Sequence, residues 1–298
     1  MSAKSTAPIP KSEKRHSLLF RWMLRRNARQ ALKLPQVRAR ETELFRESIK
    51  GNLPNSGNVL LAACDDRYFY NFALGLIKSI ERLGQPEAFH LLLLQPSGKV
   101  IEEAATLSKT LKHVRLTYSI DPCALAEGLP RREIYYTAAR FLLAPLILEA
   151  GVERLLMIDV DAVMNRSPWP IIPSDFDHQS GAFIFRRNEK HPWRKILASA
   201  VLLNNSPGSM RLANAIAVSI AVSLGKKPKY HIDQILPFYV CDFASKTIQN
   251  FSTVDIPPKL MGYDYEPEAA FWTVKGHQAL DTFISERDRL LGPTEQEN

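Results

Sequence analysis

The sequence predicts an α/β fold with a mostly parallel central sheet flanked by helices, and three observations carry that prediction. Short apolar runs alternate with helix-period segments of roughly 10–15 residues, the pattern of strands joined by right-handed helical crossovers. Several runs, NVLLAAC at 58–64 and AFHLLLLQP at 88–96 among them, are apolar on both faces, as strands covered by helices on either side must be. A third run, RLLMI at 154–158, stops abruptly at two carboxylates, Asp159 and Asp161. Ligands of open α/β sheets bind off the carboxyl ends of strands, which is where this pair falls.

Taken in order, residues 1–15 are small, Pro- and Lys-rich and read as disordered. From Ser17, Leu19, Phe20, Met23, Leu24, Ala28, Ala31 and Leu32 recur at helical spacing, with Arg21, Arg25, Arg26, Arg29 and Lys33 on the other flanks, until Pro35. A basic amphipathic helix of this kind with Trp22 near its boundary either lies on an anionic membrane surface or packs on its own domain. We therefore expect a basic arm over 1–50, a folded domain over 58–291 that starts after the Gly51, Pro54 and Gly57 loop, and a polar tail over 292–298.

Within the domain, 58–64 is a strand and the segment from Asp65 or Asp66 to Gly84 a capped helix. A strand at 88–96, a helix at 97–111, a strand at 113–120 and a helix at 134–149 lead to the strand that ends at Asp159. Beyond it come a rigid SPWPIIP turn, strands within 181–187 and 195–205, and a buried helix over 207–224. A short helix begins at HIDQILPFYV, followed by a Pro-rich loop around 257–267, a strand-like AFWTV and a last helix near 279–291.

Composition narrows the function. A hydrophobic share of 45% and a charged share of 23% are ordinary for a globular chain of 298 residues. The net charge of +8 is uneven: residues 1–50 carry +9 and the remainder −1. A nucleic-acid-binding core is therefore not implied. Three cysteines, Cys64, Cys123 and Cys241, lie far apart without a CxxC, which fits neither a disulfide framework nor a zinc site and suits a reducing compartment. We read no secretory signal in the first residues, and the uncharged stretch at 212–225 is too short to span a bilayer. The expected location is cytoplasmic, or peripheral on the cytoplasmic face of a membrane.

Residues two apart on a strand share a face, so Asp159 and Asp161 are expected to aim together into the crevice beyond it. Two adjacent carboxylates repel unless a cation or proton lies between them, and hard oxygen ligands suit Mg²⁺ or Mn²⁺ shared with substrate phosphates. A strand-end cap and a solvated turn would leave the same residues. The string IDVDAV also describes the nucleophile strand of haloacid-dehalogenase-like phosphatases, but no Asp-Asp follows to close such a site. Neither GxGxxG nor GxxxxGK[ST] occurs, nor GxSxG or HExxH.

Over 58–290 the motifs in their order resemble glycosyltransferase family 8 and related GT-A fold nucleotide-sugar transferases. AACDDRYFYNFALGLIKSI looks like the family's first strand and helix; the resemblance implies base and ribose contacts at Ala63, Asp65 or Asp66, and Tyr68, the last of which also suits a core aromatic. YYTAARFLLAPLIL is similar to the family's Tyr-Tyr-Arg-Phe helix, which implies that Arg140 meets the donor diphosphate or braces Asp159. IDVDAVMNRSPWP matches the metal-binding DxD segment, Ser-Pro included. ASAVLLNN stands at the Asn-Ala-Gly-Val strand, with Ala198 and Ala200 where Asn and Gly are usual. HIDQILPF matches a motif that implies sugar contacts near the reacting carbon from Asp233 and Gln234, Asp233 also suiting a helix cap. FWTVKGHQAL stands where the family has a third metal ligand and a phosphate lysine, which implies His277 with Asp159 and Asp161 on the metal, and Lys275 with Gly276 at the diphosphate.

The resemblance thus implies a GT-A-like enzyme using Mn²⁺ or Mg²⁺ to move a sugar from a nucleotide diphosphate sugar, read as UDP-linked, with retention. The acceptor is unidentified; a lipid-linked glycan fits if the basic arm makes peripheral membrane contact. A haloacid-dehalogenase-like phosphatase and a non-catalytic GT-A-like binding protein are the alternatives.

Overall fold

The computed structural model describes residues 16–33, 40–230, 232–274 and 279–292. Helices α1 (Leu18–Lys33) and α2 (Arg40–Ser48) precede β1 (Lys50–Gly51) and β2 (Asn58–Cys64). The next helix is built in three pieces, α3 (Asp66–Tyr68), a π-helical turn (Phe69–Ala73) and α4 (Leu74–Arg82). It starts where the Asp65 carboxylate accepts the Tyr68 N–H at 2.9 Å. After it come β3 (Glu87–Leu94), α5 (Gly98–Thr110) capped by Ser97, β4 (Val114–Asp121), α6 (Glu133–Glu149), β5 (Arg154–Ile158) and β6 (Ala162–Met164). The second half adds β7 (Gly181–Phe185), α7 (Pro192–Lys195), β8 (Ile196–Asn204), α8 (Pro207–Leu224), α9 (Ile232–Thr247), β9 (Thr253–Asp255), β10 (Met261–Gly262), β11 (Phe271–Thr273) and α10 (Leu280–Leu291).

Eight strands form the main sheet in the order β1-β4-β3-β2-β5-β8-β7-β9. The expected parallel core is present in β4, β3, β2 and β5. Past β5 the sheet turns mixed, because β8 runs antiparallel to both β5 and β7, while β9 is parallel to β7. A second, three-stranded sheet takes the order β10-β11-β6. Alternation along β2 divides the core: Val59 and Leu61 face the layer of α1, α6, α8 and α9, whereas Leu60 and Ala62 face the layer of α4 and α5. Strands buried on both faces explain the unbroken apolar runs in the sequence.

Two sequence expectations change, and for the basic helix one of its two readings is met. The sheet does not begin at Asn58, since Lys50 and Gly51 pair with Ile120 and Ser119 as an edge strand too short to leave a sequence signal. The described helix of the basic arm packs on its own domain, one of the two readings offered for it: Leu24, Ala28, Ala31 and Leu32 are buried in the core cluster against α8 and α9. The helix opening at HIDQ is sixteen residues long, not short, because Pro237 falls inside it without ending it. Among the described residues, α8 alone is long and apolar enough to cross a membrane, and 61% of it is buried inside the protein. The expected disordered start, the Pro35 stop and residues 293–298 of the polar tail lie outside the described residues.

Candidate active site

β5 sits between β2 and β8, and its last residue, Ile158, is the end of the main sheet at this point. The carboxylates are not on the strand itself, as alternation along an unbroken strand would have it. The chain leaves the main sheet after Ile158 and enters the second sheet at Ala162, so Asp159 and Asp161 occupy the bend between two sheets. Both ends of the bend are fixed. Asp159 N donates to Ser199 O at 3.1 Å on β8, and Thr273 Oγ1 on β11 donates to Asp161 O at 3.2 Å.

Arg140 comes up from α6 behind the bend, only 5% exposed. Its Nη1 donates to Ile158 O at 2.8 Å and to Asp159 Oδ1 at 2.6 Å, while Nη2 donates to Ala198 O at 2.5 Å. Of the two roles the resemblance implies for Arg140, bracing Asp159 is the one this geometry shows. A planar guanidinium suits this task because its donors reach three acceptors in one plane. Asp159 keeps a 40% exposed side chain and so still faces the crevice.

Burial, and then the charge of Asp159, push the Asp161 carboxyl up to about 7, against the pull of Arg140. Crowded carboxylates of this kind favour a shared proton or a bound cation. Among the described residues no three His, Cys, Asp or Glu side chains converge as a complete metal cage. Two carboxylates do fit Mg²⁺ or Mn²⁺, which take much of their shell from substrate phosphates and water. Lys275, Gly276 and His277 lie outside the described residues.

The other expected residues distribute around this pair. Tyr68 is 38% exposed and packs on Phe72, and its phenol is raised by burial and by the charge of Asp161, which places it beside the carboxylates. Asp65 is occupied as the helix cap, and Asp66 accepts the Ser97 N–H at 3.0 and 3.2 Å, tying the ends of β2 and β3 together. Ala63 is half-buried near the end of β2. Asp233 is buried in the first turn of α9, where its carboxylate meets backbone N–H groups of that turn; burial pushes it up to about 6, opposed by Arg140 and reinforced by the charge of Asp159. Gln234 follows it, half-buried.

The structure adds residues that the sequence did not single out. Tyr263 and Ser199 share a hydrogen bond of 3.2 Å, and the Tyr263 phenol is raised by burial and by both carboxylates. Tyr263 stands in a Pro-rich loop without periodicity, so nothing local marks it. At the end of β4, buried Asp121 accepts from Tyr135 Oη at 2.5 Å and from Cys123 N at 2.7 Å. An acid closing an apolar strand was the signal that marked Asp159, and it would have marked Asp121 too.

No protein-family model and no curated protein sequence matches the chain. Solved structures do. The galactosyltransferase LgtC, in complex with donor and acceptor sugar analogs, matches with a TM-score of 0.53 at 16% identity, over 80% of this chain and 98% of that one. The bifunctional glycosyltransferase WbbM matches with a TM-score of 0.53 at 13% identity, over 79% of this chain and 50% of that one. The glycosyltransferase GlyE of Streptococcus pneumoniae TIGR4 matches with a TM-score of 0.51 at 15% identity, over 80% of this chain and 62% of that one. At such identities the likeness is one of fold, and the chain has the GT-A-like glycosyltransferase fold.

Proposed function

We propose that the protein is a metal-dependent glycosyltransferase moving a hexose from a nucleotide diphosphate sugar, UDP-linked, to a sugar-bearing acceptor with retention. The observation that carries this reading is the Asp159 and Asp161 pair, held at the end of the central strand by Arg140 in a glycosyltransferase fold. The donor and acceptor analogs bound to LgtC support the two substrate classes. The phosphatase reading loses ground because the matching folds are those of glycosyltransferases.

Asp159 and Asp161 would hold Mn²⁺ or Mg²⁺, with His277 as third ligand by the family resemblance. When bound, the ion neutralises charge developing on the departing diphosphate. Arg140 keeps Asp159 aimed. Lys275 and Gly276 would meet the diphosphate, and Ala63, Asp65, Asp66 and Tyr68 the nucleoside. Asp233 and Gln234 would orient the sugar near its reacting carbon. A cytoplasmic location is part of this reading, and the three buried free thiols are in keeping with a reducing compartment.

A non-catalytic binding protein is the second reading, favoured by Ala198 and Ala200, which offer no polar side chain where the resemblance expects an Asn. A thermal-shift panel of nucleotide diphosphates and nucleotide sugars, with and without Mn²⁺, on wild type and Asp161→Asn tests both. A ligand at a hundred times its dissociation constant adds about 2.7 kcal/mol. Metal-dependent stabilisation by one nucleotide sugar, abolished in the variant and accompanied by sugar-nucleotide consumption when acceptor sugars are added, supports the transferase. Binding without consumption favours the second reading, and an empty panel overturns both.

A further inference from the structure

Helix α1 has two unlike faces. Opposite its buried face, Leu18, Leu19 and Trp22 are 77%, 75% and 58% exposed. Arg25, Arg26, Arg29 and Lys33 are exposed further along the same helix. At the helical period all seven fall within one arc of about 120°. The face is thus apolar in its first turns and cationic after them, and the helix contains no Asp or Glu. Such large apolar side chains left in solvent next to a row of cations mark an interaction surface.

The helix that carries this face packs on segments that lead toward the crevice. Arg21 lies over the Trp193 ring at 5.4 Å, in the connection between β7 and β8, and Lys229 N donates to His16 Nε2 at 3.1 Å. The end of β7 and the start of β8 pair through Phe185 and Ile196, at the sheet edge where Asp159 emerges. Tyr230, next to Lys229, feels the charge of Asp233. The N-terminal end of α1 therefore packs on segments that lead toward the candidate active site.

We propose that this face docks on an anionic lipid surface, with Leu18, Leu19 and Trp22 in the headgroup layer and Arg25, Arg26, Arg29 and Lys33 against lipid phosphates. Charge complementarity selects this occupant. A second copy would set cations on cations across a two-fold contact. A nucleic acid would use the cations but leave Leu18 and Leu19 without a partner, whereas an interfacial helix uses both halves. Docking in this pose holds the crevice beside the membrane, within reach of an acceptor carried on lipid. The proposal does not depend on the transferase reading, since docking is measured without turnover.

The experiment is co-sedimentation of the full chain with phosphatidylcholine vesicles, with and without phosphatidylglycerol, at low and high salt. Wild type is expected to sediment only with the anionic vesicles and to be released by salt. Leu19→Glu with Trp22→Glu should lower partitioning by about tenfold or more, with an unchanged circular dichroism spectrum and melting temperature. Should that pair misfold, Leu18→Gln serves in the same assay with a smaller loss. Wild type remaining in the supernatant with anionic vesicles overturns the proposal. So does undiminished binding by correctly folded apolar-edge variants, which would mark a plain cationic surface of the kind nucleic acid takes. A wild-type dimer that Trp22→Glu dissociates, without vesicle binding, would assign the face to a second copy.

Discussion

Arg140→Met tests whether the Arg140 guanidinium is what holds the carboxylate bend in place. Methionine keeps most of the unbranched apolar stem, though it is shorter, and none of the donors. Three acceptors lose their partner: Ile158 O, Ala198 O and Asp159 Oδ1. Each buried carbonyl left without its donor costs about 1–3 kcal/mol. Removing one member of a buried ion pair costs about 3–5 kcal/mol. Asp159 is 40% exposed and rehydrates, which holds its share at or below the low end of that range. These losses overlap, since one group serves all three acceptors, and a total of about 4 kcal/mol is expected. That leaves a folded protein, because a domain's stability is about 5–15 kcal/mol. Urea unfolding at neutral pH with metal chelated should show the loss as a lower midpoint at unchanged slope. Arg140→Lys keeps the charge but not the fork, and should lose about half as much. The reasoning fails if Arg140→Met stays within about 1 kcal/mol of wild type, or if lysine is as damaging as methionine.

Three further outcomes follow from the same geometry. Asp161→Asn should stabilise the metal-free protein at alkaline pH. With a folded pKa of about 7 against an ordinary 3.8, Asp161 contributes stability present below pH 4 and lost as pH rises through 7. The difference from the variant should therefore widen between pH 5 and 8, by about 2 kcal/mol once solvent access and sharing with Asp159 are allowed for, and a pH-independent difference would refute it. His90 is buried between Thr117 Oγ1 at 2.8 Å and Ser119 Oγ at 2.9 Å, and burial lowers it to about 3. The unfolded chain takes up a proton near pH 6.5 that the native state refuses, so wild-type stability should fall with pH below 6.5 by up to about 1.4 kcal/mol per unit from this group; His90→Asn should remove that part of the slope in urea titrations. Gly151 has φ +110° and lies where a Cβ would stand 2.8 Å from Asn55 O. Gly151→Ala should cost about 2 kcal/mol, read as a lower melting temperature.

Much of this architecture was legible in the sequence because its cause is local. β2, β3 and β5 are covered on both faces, so their apolar runs are unbroken, and Ser97 and Asp65 cap helices where their short polar side chains predict it. The edge strands β1 and β9 were not legible, since two or three residues paired on one side carry no pattern. Antiparallel β8 was foreseen as a strand but not in its direction, which depends on how the chain returns from β7. In the site, Asp159 and Asp161 announced themselves by charge at the end of an apolar run, whereas Arg140 was marked only by the family resemblance of its helix. Tyr263 did not: it meets Ser199 from 64 residues away, a contact that only the second sheet's placement creates.

The departure at Ala198 and Ala200 has a structural sense. Along β8, Ile196 and Ala198 face one core layer and Ala200 and Leu202 the other, so the alternation slips between Ala198 and Ala200. The pairing with β7 slips at the same point, from Phe183 opposite Val201 to Ile184 opposite Leu197. A bulge uses small residues to re-aim its neighbours and is common beside active sites. Here the carbonyl of Ala198 accepts from Arg140, the carbonyl of Ser199 accepts from Asp159 N, and the Ser199 hydroxyl meets Tyr263. The two alanines flank the one polar side chain of the bulge, and larger residues at either position would crowd the packed layers that hold it. The backbone of this bulge thus does for the carboxylate bend what no side chain at 198 or 200 does: it fixes where Asp159 can be, and Arg140 locks it there.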